Sequence, residues 1–245
     1  MRLIRAKNYE DASRKVASIL AAQVVLNPDC VLGLATGSSP IGAYQQLIKW
    51  YEQGDLDFSK TKSVNLDEYV GLSADHDQSY AYFMRNNLFD HINIDQNNTN
   101  LPNGLEMDAD KECARYDQVI SNMGGVDLQL LGIGGNGHIG FNEPADHFST
   151  GTNRVDLTAS TISANARFFE SESLVPRQAY TMGMLGIMQA KRVVLIATGP
   201  AKAQAIYDSF CGPVTPQVPA SILQLHPDFI LVADEEALSL VGDKL

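Results

Sequence analysis

A histidine and a glutamate stand close together in a glycine-rich stretch of this chain. His138 follows the sequence GGNG (134–137), and Glu143 comes shortly after it. Histidine titrates nearest neutral pH, and a neighbouring carboxylate can orient its ring and tune its pKa. A core histidine beside a surface glutamate is the alternative. The nearness of Asn136, His138 and Glu143 favours an acid–base site.

A second pair of titratable groups, Asp67 and Glu68, follows a short run that contains Val64 and Leu66. Adjacent acidic residues are most often only solvated. In open α/β sheets, however, ligands bind beyond the carboxyl ends of the strands. Because both this pair and His138 follow predicted strands, we expect Asp67 and Glu68 to face the same crevice as His138.

A glycine-containing turn has the features of a phosphate site. Thr36, Gly37 and Ser38 lie between an apolar run and a helical pattern, in which Ser39 is expected to be the N-cap. Exposed amides and the dipole at a helix N-terminus both favour an anion. A tight, well-capped turn without a ligand fits the same residues. A Walker loop does not fit, since no lysine follows the glycines at the required place.

Cationic residues that suit a phosphate occur later in the chain. Lys202 follows the sequence TGPA (198–201) at the start of a predicted helix. Arg167 lies in a stretch without clear periodicity, and residues of about 145–180 are therefore predicted to form a mobile lid over the site. A guanidinium fork suits phosphate oxygens, although both side chains would also be ordinary on a surface.

Strand and helix patterns alternate along the chain. Apolar runs predict strands at 3–6, 30–34, around 64–66, and at 128–133, 193–197 and 229–232. Helical spacing marks 9–23, 41–54, 80–88, 109–120, 205–210 and 235–241, whereas 93–104 is predicted to be a loop. The alternation predicts one α/β domain over residues 1–245, with a doubly wound, mostly parallel, modified Rossmann-like sheet and helices on both faces.

The composition argues against nucleic-acid-binding, membrane-spanning and secreted proteins. The formal net charge of -11 argues against nucleic acid as a partner, and any anion site needs local positive groups. No apolar run approaches the roughly 20 residues of a membrane span, and the charged N-terminus does not resemble a signal peptide. Cys30, Cys113 and Cys211 have no metal-ligand spacing, which predicts free thiols. We expect a soluble cytoplasmic protein without a metal site.

Six motifs, in this order, resemble the glucosamine-6-phosphate deaminase family. They are LGLATGSSPIGAY (32–44), NLDEYVGL (65–72), GIGGNGHIGFNEP (132–144), NARFF (165–169), TGPAKA (198–203) and LQLHP (223–227). Several spaced motifs are far more specific than any one of them, and the likeness runs over almost the whole chain. The resemblance implies conversion of glucosamine 6-phosphate and water to fructose 6-phosphate and ammonia, without a metal or organic cofactor.

The resemblance also implies a role for each motif residue. Asp67 matches the base that removes the proton from C2, and His138 matches the catalyst of ring opening, assisted by Glu143 and Asn136. Some members have aspartate in place of Asn136, and an amide can orient its neighbours but is neither acid nor base. The phosphate is implied to bind at Thr36, Gly37, Ser38, Arg167 and Lys202.

Two other functions on this fold stay open from the sequence. A 6-phosphogluconolactonase has a similar Gly-His loop, although the sequences FNEP (141–144) and NLDEY (65–69) favour the deaminase. A sugar-phosphate-sensing domain of a repressor would not need Asp67, His138 and Glu143 together. Monomer and homo-oligomer are both open.

The family's longer members have an allosteric site for an acetylated amino sugar phosphate, built with basic residues near the start of the lid. Asn153 and Val155 stand where those basic residues are expected. The resemblance therefore implies weak or absent activation by that effector.

Overall fold

A parallel sheet of seven strands forms the centre of the part of the chain that the structure describes, residues 1–166 and 169–245 of a computed structural model. The strands are β1 (Arg2–Ala6), β2 (Val31–Leu34), β3 (Lys62–Asn65), β5 (Thr99–Asn100), β6 (Leu128–Leu131), β9 (Arg192–Ala197) and β10 (Phe229–Asp234). Their order across the sheet is β1-β10-β9-β6-β2-β3-β5, and every neighbouring pair is parallel.

Helices cover this sheet on both faces. The helices of the described residues are α1 (Tyr9–Leu26), α2 (Ile41–Glu52), α3 (Tyr80–Asn87), α4 (Ala109–Asn122), α5 (Ala159–Asn165), α6 (Met184–Met188) and α7 (Ala203–Cys211), of which α5 packs on the smaller sheet described below. Every residue of β2, β6 and β10 is buried, which requires cover on both faces because successive side chains point in opposite directions. The predicted fold class, a doubly wound and mostly parallel α/β sheet, is confirmed. None of the helices in residues 1–166 and 169–245 combines the length and the apolar composition of a membrane span.

A second, antiparallel sheet lies beside the first and carries part of the candidate site. Its strands are β4 (Asp67–Tyr69), β7 (Asn153–Asp156) and β8 (Gln178–Thr181), in the order β4-β8-β7. A small apolar cluster packs on it, consisting of Tyr69, Phe141, Leu157, Ile162, Val175 and Ala179. The predicted lid of about 145–180 thus contains two strands of this sheet, β7 and most of β8, together with α5.

Three local predictions are wrong. Ser39 does not cap α2: the N-cap position is Pro40, and the hydroxyl of Tyr9 accepts the N–H of Gly42 instead. The predicted loop 93–104 contains β5, which adds an edge strand to the sheet. Residues 235–241 form turns rather than a helix, since several of their hydrogen bonds, such as that from the Val241 N–H to the Leu238 carbonyl, span three residues.

Candidate active site

A cavity of about 500 Å³ opens where four strands of the parallel sheet end. Its lining includes 35–39 after β2, Leu66 and Asp67 after β3, 132–136 after β6, and Lys202 beyond the end of β9. Parallel strands end at the same edge of a sheet, so loops far apart in the chain meet there. The structure therefore brings together the two loops that the sequence marks for catalysis and phosphate binding.

Asp67 reaches the cavity from β4. Its side chain is largely buried, and no group in the described residues donates a hydrogen bond to its carboxylate. Burial, and secondly the adjacent charge of Glu68, raise the pKa of Asp67 to about 8. A carboxylate with its pKa near neutrality is suited to accept and return a proton. As the sequence predicts, Asp67 lies just beyond a strand, β3, and it also begins β4 of the second sheet.

Glu68 points away from bulk solvent and is almost completely buried. Its carboxylate accepts the backbone N–H groups of Tyr69, Tyr80 and Ala81, each at 2.9 Å. Burial raises the pKa of Glu68 to about 7, and these three donors act in the opposite direction. Tyr80 begins α3, and its ring stacks on that of Phe141, with both rings lining the cavity.

The imidazole of His138 lies directly against the backbone of Gly134. A Cβ added at Gly134 would meet ring atoms of His138 at 2.3 Å, far inside ordinary contact. The Gly134 N–H donates to the His138 carbonyl at 2.9 Å, and the His138 N–H donates to Asn136 Oδ1 at 3.2 Å. The glycine therefore gives the ring the space that it occupies, and the loop closes on itself around it.

Glu143 connects the cavity-lining side chains of His138 and Asn136. Asn136 Nδ2 donates to Glu143 Oε2 at 2.7 Å, and His138 Nδ1 lies 3.4 Å from the same oxygen. The hydroxyls of Thr161 on α5 and of Thr158 donate to Oε1. Burial acts to raise the pKa of Glu143, but His138 and these donors outweigh it and lower the pKa to about 2. Glu143 is therefore ionised at neutral pH.

The predicted phosphate loop, residues 36–38, lines another part of the same cavity. Thr36, Gly37 and Ser38 all face the cavity, and so does Ser39. Gly37 has a φ of 84°, a conformation that favours glycine, and α2 begins just beyond the loop. The N-terminus of a helix favours an anion through its dipole and its amides.

Lys202 connects the turn at Gly199 with the glycine loop at 132–137. Its Nζ donates to the carbonyl of Ile133 at 2.6 Å, and its side chain lines the cavity. The turn that carries it is held by Asp234 at the end of β10, whose two carboxylate oxygens accept the Gly199 N–H at 3.0 Å. Arg167, the other predicted phosphate ligand, lies outside the described residues.

The structure adds residues that the sequence did not single out. They are Tyr80, Thr161, Asn165 and Ser39, the last of which the sequence assigned only to helix capping, and all four line the cavity. The expectation that Glu68 faces the crevice with Asp67 is wrong: Glu68 does not line the cavity, and its contacts with α3 instead hold the cavity wall. Asn165 begins the NARFF motif, which could have identified it. Tyr80 and Thr161 carry no comparable sequence signal, since only the packing of α3 and α5 brings them to the site.

Comparisons of the sequence with known proteins agree with this geometry. A family model described as glucosamine-6-phosphate isomerases/6-phosphogluconolactonase matches residues 5–231. The chain is 62% identical over 232 residues to a glucosamine-6-phosphate deaminase of Lachnoclostridium phytofermentans, covering 95% of this chain and 98% of the relative. It is 57% identical to the same enzyme of Clostridium perfringens SM101, covering 98% of this chain and 100% of the relative.

Comparisons of the fold point the same way. A solved structure described as a monomeric glucosamine-6-phosphate deaminase superposes with a TM-score of 0.96 at 43% identity, covering 98% of this chain and 100% of that one. A 6-phosphogluconolactonase from Trypanosoma cruzi superposes with a TM-score of 0.76 at 16% identity, covering 98% of this chain and 97% of that one. The second likeness shows the shared fold alone.

Proposed function

This chain belongs to the glucosamine-6-phosphate isomerase/6-phosphogluconolactonase family, and we propose that it converts glucosamine 6-phosphate and water to fructose 6-phosphate and ammonia. One observation carries the proposal: a single cavity holds a buried carboxylate, Asp67, an imidazole, His138, and a glycine loop with a lysine, Lys202. Sugar isomerisation needs the first two groups, and a phosphate needs the third.

His138 opens the pyranose ring in this proposal. The imidazole accepts the proton of the anomeric hydroxyl and delivers a proton to the ring oxygen, which yields the open aldehyde. The ionised Glu143, 3.4 Å from Nδ1, stabilises the imidazolium that forms between these transfers. Asn136 acts by holding Glu143 rather than by moving a proton, because an amide does not titrate.

Asp67 then moves the substrate hydrogen from C2 to C1. The carboxylate removes the proton from C2 while the substrate ammonium passes one of its protons to the C1 carbonyl oxygen, which gives an enolamine. Asp67 then returns its proton, partly exchanged with solvent, to C1, which leaves an iminium at C2. Water adds to C2, and ammonia departs as the ketone forms. The ammonium of the bound substrate favours the ionised form of Asp67, which offsets the effect of burial on its pKa.

The phosphate is held at the far end of the sugar from the reacting carbons. Thr36, Gly37 and Ser38 provide the loop before α2, and Lys202 provides positive charge, with Arg167 as a second cation. This local charge is needed because the whole chain carries a net charge of -11. Binding energy from the phosphate orients C1 and C2 against the catalytic groups.

Residues of about 145–180 serve as the lid. Within this segment, α5 carries Thr161, which bonds to Glu143, and Asn165, which donates to the Tyr69 hydroxyl at 2.9 Å. Movement of α5 would therefore break contacts of the catalytic carboxylate. The reaction uses no metal or organic cofactor in this scheme. A sugar-phosphate substrate supports the proposal that the protein acts in the cytoplasm.

An assay of two reactions on one sample tests the proposal. Purified protein, dialysed against a chelator, should release ammonia from glucosamine 6-phosphate and form fructose 6-phosphate in equal amounts. It should not accelerate hydrolysis of 6-phosphogluconolactone above the spontaneous rate. Lactone hydrolysis without ammonia release would replace this function by that of the lactonase, and the absence of both activities would indicate a binding domain.

A further inference from the structure

The buried carboxylate of Glu68 stands next to the proposed base but is not part of the reaction described above. Only 2% of Glu68 is exposed, and three backbone N–H groups donate to it. Two of them belong to Tyr80 and Ala81, the first two residues of α3. The carboxylate thus ties β4 to the N-terminus of α3, where a negative charge is also favoured by the helix dipole.

Two neighbours of Glu68 connect these hydrogen bonds between β4 and α3 to the cavity. Asp67 precedes it on β4, and Tyr80, whose N–H it holds, lines the cavity beside Phe141. We infer, on the basis of the proposed function, that Glu68 is a positioning residue: it fixes Asp67 and the Tyr80 wall of the cavity, and its charge sets the pH at which Asp67 becomes a base.

The order in which the two carboxylates ionise follows from their surroundings. Glu68 accepts three hydrogen bonds, which favour its charged form, whereas Asp67 accepts none from the described residues. Glu68 therefore ionises first, and its charge then disfavours ionisation of Asp67. This is the reason that the Glu68 charge contributes, after burial, to the raised pKa of Asp67.

Other titratable groups near Asp67 do not account for the effect of the Glu68 charge on the pKa of Asp67. Within residues 1–166 and 169–245, the titratable groups besides Glu68 that interact with Asp67 electrostatically or share its cavity are Tyr69, Tyr80, Tyr116, His138 and Lys202. Burial raises the pKa of Tyr69 to about 12 and those of Tyr80 and Tyr116 above their ordinary value, so the three phenols stay neutral. His138 and Lys202 are unchanged in the variants proposed below, and they contribute equally to each profile.

The pH profile of kcat/KM in Glu68→Gln tests the inference. Wild-type kcat/KM should rise with pH through about 8, the pKa of Asp67, because only the ionised base reacts. Without the neighbouring charge, this limb should move down by at most about one pH unit, and because Glu68 is itself charged only above about pH 7, the rise of kcat/KM relative to its own plateau should appear between pH 7 and 8. Glu68→Asp keeps the charge, and its limb should stay within about 0.3 unit of the wild type.

Glu112→Gln is the matched control. Glu112 on α4 is also almost completely buried and accepts a backbone N–H, that of Asn103, but it pairs with Arg115 and does not line the cavity. Its pH limb should coincide with that of the wild type. A Glu68→Gln limb that coincides with the wild type, or an equal shift in Glu112→Gln, overturns the inference.

Carboxyl NMR of the wild-type protein gives a test that needs neither substrate nor a folded variant. In a pH titration, the Glu68 carboxyl should ionise at a lower pH than the Asp67 carboxyl. The reverse order overturns the inference even if Glu68→Gln fails to fold. Because this measurement is independent of turnover, it also separates a failure of this inference from a failure of the proposed deamination.

Discussion

Substitution of Gly134 by alanine tests how closely the His138 ring is positioned. An alanine Cβ at this position would lie 2.3 Å from Cε1 and Nε2 of the ring, whereas ordinary van der Waals contact begins at 3.4 Å. The backbone of Gly134 does not have a positive φ, so alanine introduces no backbone strain. The clash can be relieved only by moving the imidazole by about 1 Å.

A displacement of that size has a predictable cost. Misplacing a catalytic group by about 1 Å reduces the rate by about a hundredfold, because the reacting atoms no longer meet in line. We therefore expect Gly134→Ala to lower kcat for ammonia release by about that factor. KM should change little, since the three atoms nearest to the new methyl group all belong to the His138 ring and not to the phosphate loop.

Gly135→Ala is the matched control for this measurement. A Cβ at Gly135 meets no atom within 4 Å, and Gly135 does not have a positive φ either. Its kcat should remain within about twofold of the wild type. Wild-type kcat in Gly134→Ala, or an equal loss in Gly135→Ala, would refute the assigned position and role of the ring. Thermal unfolding of both variants checks that the loss is not one of folding.

Three further outcomes are expected from steady-state kinetics. Lys202→Ala should raise KM for glucosamine 6-phosphate by about 10–100-fold, as loss of a charged hydrogen bond predicts, and should leave the slow reaction of phosphate-free glucosamine nearly unchanged; equal losses with both substrates would exclude a phosphate role. Thr161→Val should lower kcat more than Thr158→Val, because Thr161 lines the cavity where it donates to Glu143, whereas Thr158 does not line it; an equal effect of the two would contradict the role of α5. N-acetylglucosamine 6-phosphate should not change the shape of the rate curve, and conversion of a sigmoidal curve to a hyperbolic one would show that the effector acts.

Much of the central fold was predictable from hydrophobic periodicity. Strands β2, β6, β9 and β10 are short buried runs, and each predicted strand overlaps the observed one. Periodicity reports how one element buries its own face, which explains this agreement. It does not report the partner of an edge segment, and β5, only two residues long within an Asn-rich stretch, was predicted as loop.

The rules of helix capping gave a wrong prediction where a residue distant in the sequence accepts the hydrogen bond instead. Ser39 has the side chain of an N-cap, yet the hydroxyl of Tyr9 on α1 accepts the Gly42 N–H at 2.8 Å. The hydrogen bonds of Glu68 are equally hard to predict from the sequence, because its donors Tyr80 and Ala81 lie on another element, α3. Such contacts depend on how α1 and α3 pack, and sequence spacing does not contain that information.

The candidate site was predictable where its residues follow strands. Asp67, His138 and Lys202 lie beyond the ends of parallel strands, and the rule that loops meet at this edge brings them to one cavity. The contribution of α5 was not predictable, since its sequence has no strong apolar periodicity. Thr161 and Asn165 reach the site because Ile162 and its neighbours pack on the second sheet.

Loss of the C2 hydrogen to solvent tests the central claim most directly. Wild-type protein should exchange hydrogen at C2 of glucosamine 6-phosphate with deuterated water, and Asp67→Asn should reduce that exchange by at least about a hundredfold while still binding the sugar phosphate. Asn at this position keeps the size of the side chain but cannot accept the proton. Exchange at the wild-type rate in Asp67→Asn would contradict the account and assign the base to another residue.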